Sequence, residues 1–346
     1  MTKRLPAILA LLLFCIGTRA AAYNLYIGGL HSHTSFSDGT GIADQAWDTA
    51  RNQGKTDFWA VTEHYQQFQA GGVLPNGDTN VNKWKYEQEV SRAKTEDGKF
   101  VALLGWEWSD GIKAHMNVLF DPATPPPFLM TGTFDRFLSV WLKKHPKSLT
   151  GLNHPFWSAD KGMSNWDNFK YIPELASQAV YIEVVQPEDI PFYYIALDRG
   201  WRVAPAAAQD NHSPNWGLQP EFVAAYANEL TADGLREAFI ARRFYATTDR
   251  SLVLQFTGNG KPMGSQITAD YVNFEITVSR PGDPPAFVRL MSNGGSIVKN
   301  WVPKSGEFRE KFKLPVLSEK VQWYVAYASM PDGRYSISAP IWVKNK

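Results

Sequence analysis

The chain has 346 residues, 44% of them hydrophobic and 20% charged, with 35 Lys and Arg against 34 Asp and Glu. These proportions exclude a disordered chain, and the length suits one large domain with a smaller one or two of medium size. The near-neutral balance and the lack of a basic block argue against a nucleic-acid wrapper, whose affinity rests on clustered cations facing phosphates.

At the start of the chain, Lys3 and Arg4 precede an apolar run from Ala7 to Ile16, and Ala20 to Ala22 give a small-x-small cleavage pattern. This predicts a signal peptide over residues 1–22 and an exported, periplasmic or secreted product. The run is too short to span a bilayer and no later segment is suitable, so no stable membrane anchor is expected. Cleavage removes the single cysteine, Cys15, and any disulfide with it. It also removes Lys3, Arg4 and Arg19, leaving 32 cations against 34 anions, a net −2 with histidine neutral.

From Tyr23 to Asp249 short apolar runs alternate with amphipathic stretches. The runs are FWAVTEH ending at His64, VALLGWE ending at Glu107, HMNVLF from His115, TGLNHP around His154, AVYIEVV ending at Val185 and VAPAAAQDNH ending at His212. They read as buried strands. Between them, IADQAWDTARNQG is apolar at Ile42, Ala43, Ala46, Trp47 and Ala50, a helical spacing that Gly54 would end as a left-handed cap. TFDRFLSVWLKKHP is a second helix, capped by Thr133 and stopped at Pro146. TADGLREAFIARR is a third, with Thr231 as N-cap and Leu230 and Leu235 spaced as a hydrophobic staple. The alternation predicts a parallel-rich α/β domain over 23–249.

Beyond RRFYATTDRS the period changes to two, in VNFEITV, FVRLMS and WYVAYAS, with turns at SNGGS and MPDGR. Residues 250–346 are therefore expected to form a small C-terminal all-β sandwich. That module could bind a glycan or cover one side of the first domain.

Six of the seven histidines fall at starts or ends of predicted strands: His31, His33, His64, His115, His154 and His212. The seventh, His145, follows Lys143 and Lys144 at a predicted helix end, where a cation favours the dipole. In a barrel of parallel strands the C-terminal strand ends converge on one mouth, and His31 and His33 at i and i+2 point the same way. Asp38, Glu63, Glu107 and Asp210 occupy similar positions. Imidazole with carboxylate is the ligand mix for Zn²⁺, Mn²⁺ or Fe²⁺, so HSH opens a candidate multinuclear metal site.

The blocks HSHTSFSDG, TEH, NHP around His154 and DNH ending at His212, with Glu107 and His115 between them, resemble the PHP (polymerase and histidinol phosphatase) superfamily of metal-dependent hydrolases over about 23–249. The resemblance implies a distorted seven-stranded β/α barrel holding two or three divalent metal ions. It would give His31, His33, Glu107 and Asp210 to a first ion, with Glu107 bridging to a second held by His115 and His154. His64 and His212 would bind a third. Some members carry a histidine just after the position of Asp38, where this chain has Gly39, so Asp38 is the substitute ligand.

GWEWSDGIKAHMNVLF, DNHSPNWG and RRFYATTD resemble the branch that includes carbamate-cleaving (carbaryl) hydrolases. The superfamily mainly cleaves phosphate esters, so the expected activity is that of a phosphoesterase on a small molecule, using a metal-activated hydroxide. Carbamate or carboxylic-ester hydrolysis on the same residues is the alternative, and a non-catalytic metal-containing binding module is a second. Asp210 and His212 are candidate proton donors to the leaving group, although ligand duty alone would also explain them. Lys113 and Arg202 could neutralise a phosphoryl group or could be solvated basic residues. Trp106, Trp108, Trp157 and Trp216 could form an apolar rim or belong to the core.

Overall fold

The computed structural model describes residues 23–69, 82–121, 134–316 and 320–346. The expected signal peptide and the expected cap Thr133 lie outside the described residues.

Seven strands lie side by side in chain order: β1 (Asn24–Gly29), β2 (Phe58–His64), β3 (Val101–Asp110), β4 (Ala114–Leu119), β5 (Leu149–Leu152), β6 (Ala179–Glu183) and β7 (Ala204–Ala206). β1, β2 and β3 are parallel, as are β5, β6 and β7, while β4 is antiparallel to both of its neighbours. A single parallel bridge, Ser32 to Asn211, sets the chain leaving β1 beside the chain leaving β7.

On its other side β1 pairs antiparallel with β8 (Phe222–Ala227), which pairs with β9 (Phe244–Thr247). The parallel-rich barrel expected from the alternation is thus part of a large mixed sheet. The reason lies in the link between β3 and β4: three residues cannot make the crossover that a parallel pair needs, and they close a hairpin instead.

The C-terminal region is rich in strands, as its period predicts. β10 (Val253–Gly258), β11 (Lys261–Pro262), β13 (Tyr271–Ser279) and β16 (Glu307–Pro315) form a four-stranded sheet. β12 (Gln266–Thr268), β14 (Phe287–Ser292), β15 (Ser296–Trp301), β17 (Gln322–Ser329), β18 (Tyr335–Ser338) and β19 (Ile341–Lys344) join the large sheet, because β18 pairs antiparallel with β9. The apolar core is shared accordingly. Phe58, Leu103 and Val223 of the first region belong to one buried cluster with Leu254, Val288 and Ala326 of the second.

α1 (Ala43–Asn52) buries Ala43, Ala46, Trp47 and Ala50, the predicted face. Gly54 is not its left-handed cap: the positive φ of 52° falls on Lys55. Glycine is needed at 54 for space, since a Cβ there would sit 2.7 Å from the Ala50 carbonyl oxygen and 2.9 Å from that of Gly217. The second expected helix changes pitch from α (134–136) to π (137–141) to 3₁₀ (142–144) before Pro146. The third spans Ala232–Ile240; Thr231 Oγ1 accepts from Gly234 N at 2.9 Å, and Leu230 and Leu235 are buried. No helix among the described residues is long and apolar enough to cross a membrane.

Candidate metal centre

The ends of β1, β2, β5 and β7, with the facing parts of β3 and β4, bring nine donor side chains together. His31 and His33 point inward while Ser32 turns away, its Oγ donating to the Ala60 carbonyl and accepting from Trp59 Nε1. The period of two that places both imidazoles on one face therefore continues past the end of β1. His31 Nε2 lies 3.0 Å from His33 Nε2, 3.2 Å from Asp210 Oδ1 and 3.4 Å from Glu107 Oε1. His33 Nε2 lies 3.1 Å from the same Asp210 oxygen and 3.7 Å from Glu107 Oε2.

Glu107 is central. Besides His31, its Oε1 is 3.4 Å from His115 Nδ1 and 3.3 Å from His154 Nε2, and its Oε2 is 2.7 Å from His64 Nδ1. Asp38 stands between two further imidazoles, 3.4 Å from His64 Nε2 and 3.2 Å from His212 Nε2. Three groups have ligand atoms within 4.8 Å of one another: His31, His33 and Asp210; His64, Glu107 and His115; and His33, Asp38, His64 and His212.

This donor set fits divalent cations. Metal bonds of about 2.1 Å put tetrahedral donors about 3.4 Å apart, near the separations between Glu107 and His31, His115 and His154. Without a cation the cluster holds its charge as imidazolium and carboxylate. Burial alone would lower the His31 pKa, but the Asp210, Glu183 and Glu107 carboxylates outweigh it and push the imidazole up to about 10. His64 is likewise pushed up to about 10, against burial, by Asp38 and Glu107. Asp38 is held below the usual carboxylate range by hydrogen bonds from His212 and His64. Burial opposes ionisation of Glu107 and Asp210, yet the His31 charge holds both below it as well.

The chain around the cluster aims these groups. Glu63, expected from the sequence as one of the accompanying acids, takes no donor position. Its Oε1 accepts from Thr34 N at 2.8 Å, its Oε2 accepts from the Ser37 hydroxyl, and Ser37 Oγ in turn lies 3.1 Å from His33 Nδ1. Lys83, buried at the start of α2 (Lys83–Lys94), donates to the Phe36 and Gln67 carbonyls at 2.8 and 2.9 Å and so ties together the loops after β1 and β2. At Gly39 a Cβ would meet the His33 carbonyl oxygen at 2.9 Å and Thr34 N at 3.0 Å. The loop therefore has no room for a side chain there, and Asp38 is the residue that reaches His64 and His212. His154 (φ 26°) and Asp210 (φ 44°) lie in the left-handed region, uncommon for residues other than glycine.

One participant went unnoticed in the sequence. Glu183, at the end of β6 and wholly buried, accepts from His31 Nδ1 at 2.8 Å and from His154 N at 2.8 Å. A carboxylate can only accept here, so the proton is fixed on His31 Nδ1 and its Nε2 is directed at the cluster. The available signal was a lone acid in the apolar run AVYIEVV.

Three expected substrate contacts are placed differently from one another. Trp157 is 42% exposed beside the cluster, its ring 4.8 Å from that of His154 and 5.5 Å from that of His115 between centroids. Lys113 is not brought to the cluster, because Asp167 takes its ammonium at 2.8 and 2.9 Å, from a run of five residues, Asn165–Phe169, with φ of 46–57°. Arg202 is not brought there either. It precedes β7, at the end away from Asp210, and its guanidinium lies 5.0 Å over the Trp342 ring. Of the other tryptophans, Trp106, Trp108 and Trp216 are core, at most 3% exposed.

No family model matches the chain. An uncharacterized protein of Chlamydia pneumoniae is 26% identical over 147 residues, covering 38% of this chain and 24% of that protein, so the chain spans about a quarter of its relative's length. Among solved structures, a two-domain protein from Bacteroides vulgatus, described as containing a predicted PHP-like metal-dependent phosphoesterase, aligns with 92% of this chain and 96% of its own, at 17% identity and a TM-score of 0.52. That likeness is one of fold. Endonuclease Q, solved with a duplex carrying an abasic lesion, aligns with 62% of this chain and 56% of its own at 14% identity, and its TM-score of 0.35 is too low to bear on the site.

Proposed function

We propose that the protein is an exported PHP-type metal-dependent hydrolase, a phosphoesterase acting on a small molecule, with the signal peptide at 1–22, the catalytic domain at 23–249 and an all-β domain at 250–346. One observation carries this reading: six imidazoles and three carboxylates from six strands and the chain that follows them meet at ligand spacing. His31, His33, Glu107 and Asp210 would hold one divalent ion, Glu107 with His115 and His154 a second, and Asp38, His64 and His212 a third, drawn from Zn²⁺, Mn²⁺ or Fe²⁺. Such ions, when bound, polarise the substrate's oxygen and acidify a water.

The side chains account for the rest. Asp210 lies 3.2 and 3.1 Å from the Nε2 atoms of His31 and His33 and stays ionised, so it is a poor proton donor. Where only the first two ions are held, His212, 38% exposed at its side chain and with its pKa raised chiefly by Asp38, is the better candidate for protonating the leaving oxygen. Trp157 offers an apolar wall for an organic ester group.

Carbamate or carboxylic-ester hydrolysis is the second reading, favoured by the absence of Lys113 and Arg202 from the cluster. The test is metal analysis of the purified protein followed by assays on a phosphomonoester, a phosphodiester and an aryl carbamate. Turnover of phosphate esters that stops on chelation and returns with metal supports the proposal. Cleavage of the carbamate alone supports the second reading, and a metal-loaded protein inert on all three is a binding module.

A further inference from the structure

The charge pattern at the mouth discriminates between classes of phosphate ester. The carboxylates of Asp38, Glu107, Glu183 and Asp210 form ion pairs with histidines alone; no lysine or arginine nitrogen of the described residues comes within 4.0 Å of any of them. Lys113 is taken by Asp167, and Lys83 is buried against two backbone carbonyls. Residues 70–81 and 122–133 contain neither lysine nor arginine, so those segments have no cation to bring. What the mouth does expose is a carboxylate, an imidazole and an indole: the side chains of Asp38 and His212 are 46% and 38% exposed, and Trp157 is 42% exposed.

We infer that the site takes small organic phosphodiesters in preference to phosphomonoesters, one ester group lying against Trp157. The inference rests on the phosphoesterase reading and narrows it. A monoester is a dianion near neutral pH, and sites that prefer dianions supply fixed guanidinium or ammonium donors for the added charge. Here, beyond the ions themselves, no lysine or arginine of the described residues stands at the cluster to meet the added charge. A diester carries one negative charge, and its second ester group replaces a charged oxygen with apolar surface suited to an aromatic face.

In the reaction a water oxygen bonds to phosphorus as the bond from phosphorus to the leaving oxygen breaks. One water proton passes to the leaving alcohol or phenol, and the other is released. The product is a phosphomonoester, now of the disfavoured charge, so it accumulates ahead of inorganic phosphate.

The experiment uses the metal-loaded full-length protein with bis(p-nitrophenyl) phosphate and p-nitrophenyl phosphate, which share a leaving group and differ in charge. The expected result is a kcat/KM at least tenfold higher on the diester, with p-nitrophenyl phosphate accumulating. Trp157→Ala should lower the diester kcat/KM several-fold with metal content unchanged. A monoester cleaved as fast as the diester overturns the inference and leaves the phosphoesterase reading standing. Failure to cleave either substrate with metals bound overturns both. A Trp157→Ala protein as active as the parent on the diester overturns the seating of the ester group.

Discussion

Replacing Glu183 by glutamine keeps its shape and removes its charge, which tests the contribution of the carboxylate to the His31 ligand. That carboxylate faces His31 Nδ1 on one oxygen and His154 N on the other, both at 2.8 Å. A glutamine can still accept from His31 through its amide oxygen, so the ring should hold its place, but the imidazole becomes less basic and a poorer ligand, and the amide nitrogen leaves His154 N without its acceptor. Loss of such a supporting carboxylate weakens metal affinity roughly 10- to 100-fold, about 1.4–2.7 kcal/mol. Glu183→Ala removes both acceptors as well, and each buried donor left unpaired costs about 1–3 kcal/mol of stability. Competition against a chromogenic chelator reads the first effect, and thermal unfolding in chelator reads the second. A glutamine variant with parental metal affinity would refute the role given to Glu183.

The same geometry sets further outcomes. Gly39→Ala should destabilise the protein by about 1–3 kcal/mol, because its Cβ meets backbone at 2.9 Å; an unchanged melting temperature contradicts the packing described. In the metal-free protein His31 and His64 are raised from 6.5 to about 10, so their contribution to stability is complete below pH 6.5 and is lost as pH rises through about 10. Asp38, Asp210 and Glu107 are shifted down, so their contribution is present above the ordinary carboxylate range and is lost on acidification; chelator-treated protein should therefore unfold more readily at both extremes. The same protonated imidazoles must release protons when metal binds near neutral pH, seen as a binding enthalpy that varies with the buffer. N-terminal sequencing of the exported protein should begin near Tyr23, and an intact Met1 on that product contradicts the signal peptide.

Much of the centre is legible because its ligands recur at strand ends, where a histidine or acid interrupts the apolar run: His64 closes FWAVTEH and Glu107 lies within VALLGWEWSD. Glu183 is harder to see, since one carboxylate in a buried strand gives no sign that its partners lie 152 and 29 residues away. Lys113 and Arg202 show the opposite failure. Nearness in sequence to His115 or Asp210 does not say which end of a strand a residue occupies, nor that Asp167, 54 residues on, will take the ammonium. The antiparallel β4 could have been anticipated from the short link WSDGIKA. The continuity of the large sheet could not, because the pairing of β18 with β9 joins residues such as Ser336 and Thr247 that no local pattern connects.

The central claim is that the histidine and carboxylate cluster holds catalytic metal. Anomalous scattering from crystals of the protein purified with its native metal tests it most directly. At least two peaks are expected, one among His31, His33, Glu107 and Asp210 and another among Glu107, His115 and His154, in protein whose hydrolytic activity is lost on chelation. An active protein with no peak in the cluster, or with activity that survives complete removal of metal, would contradict it.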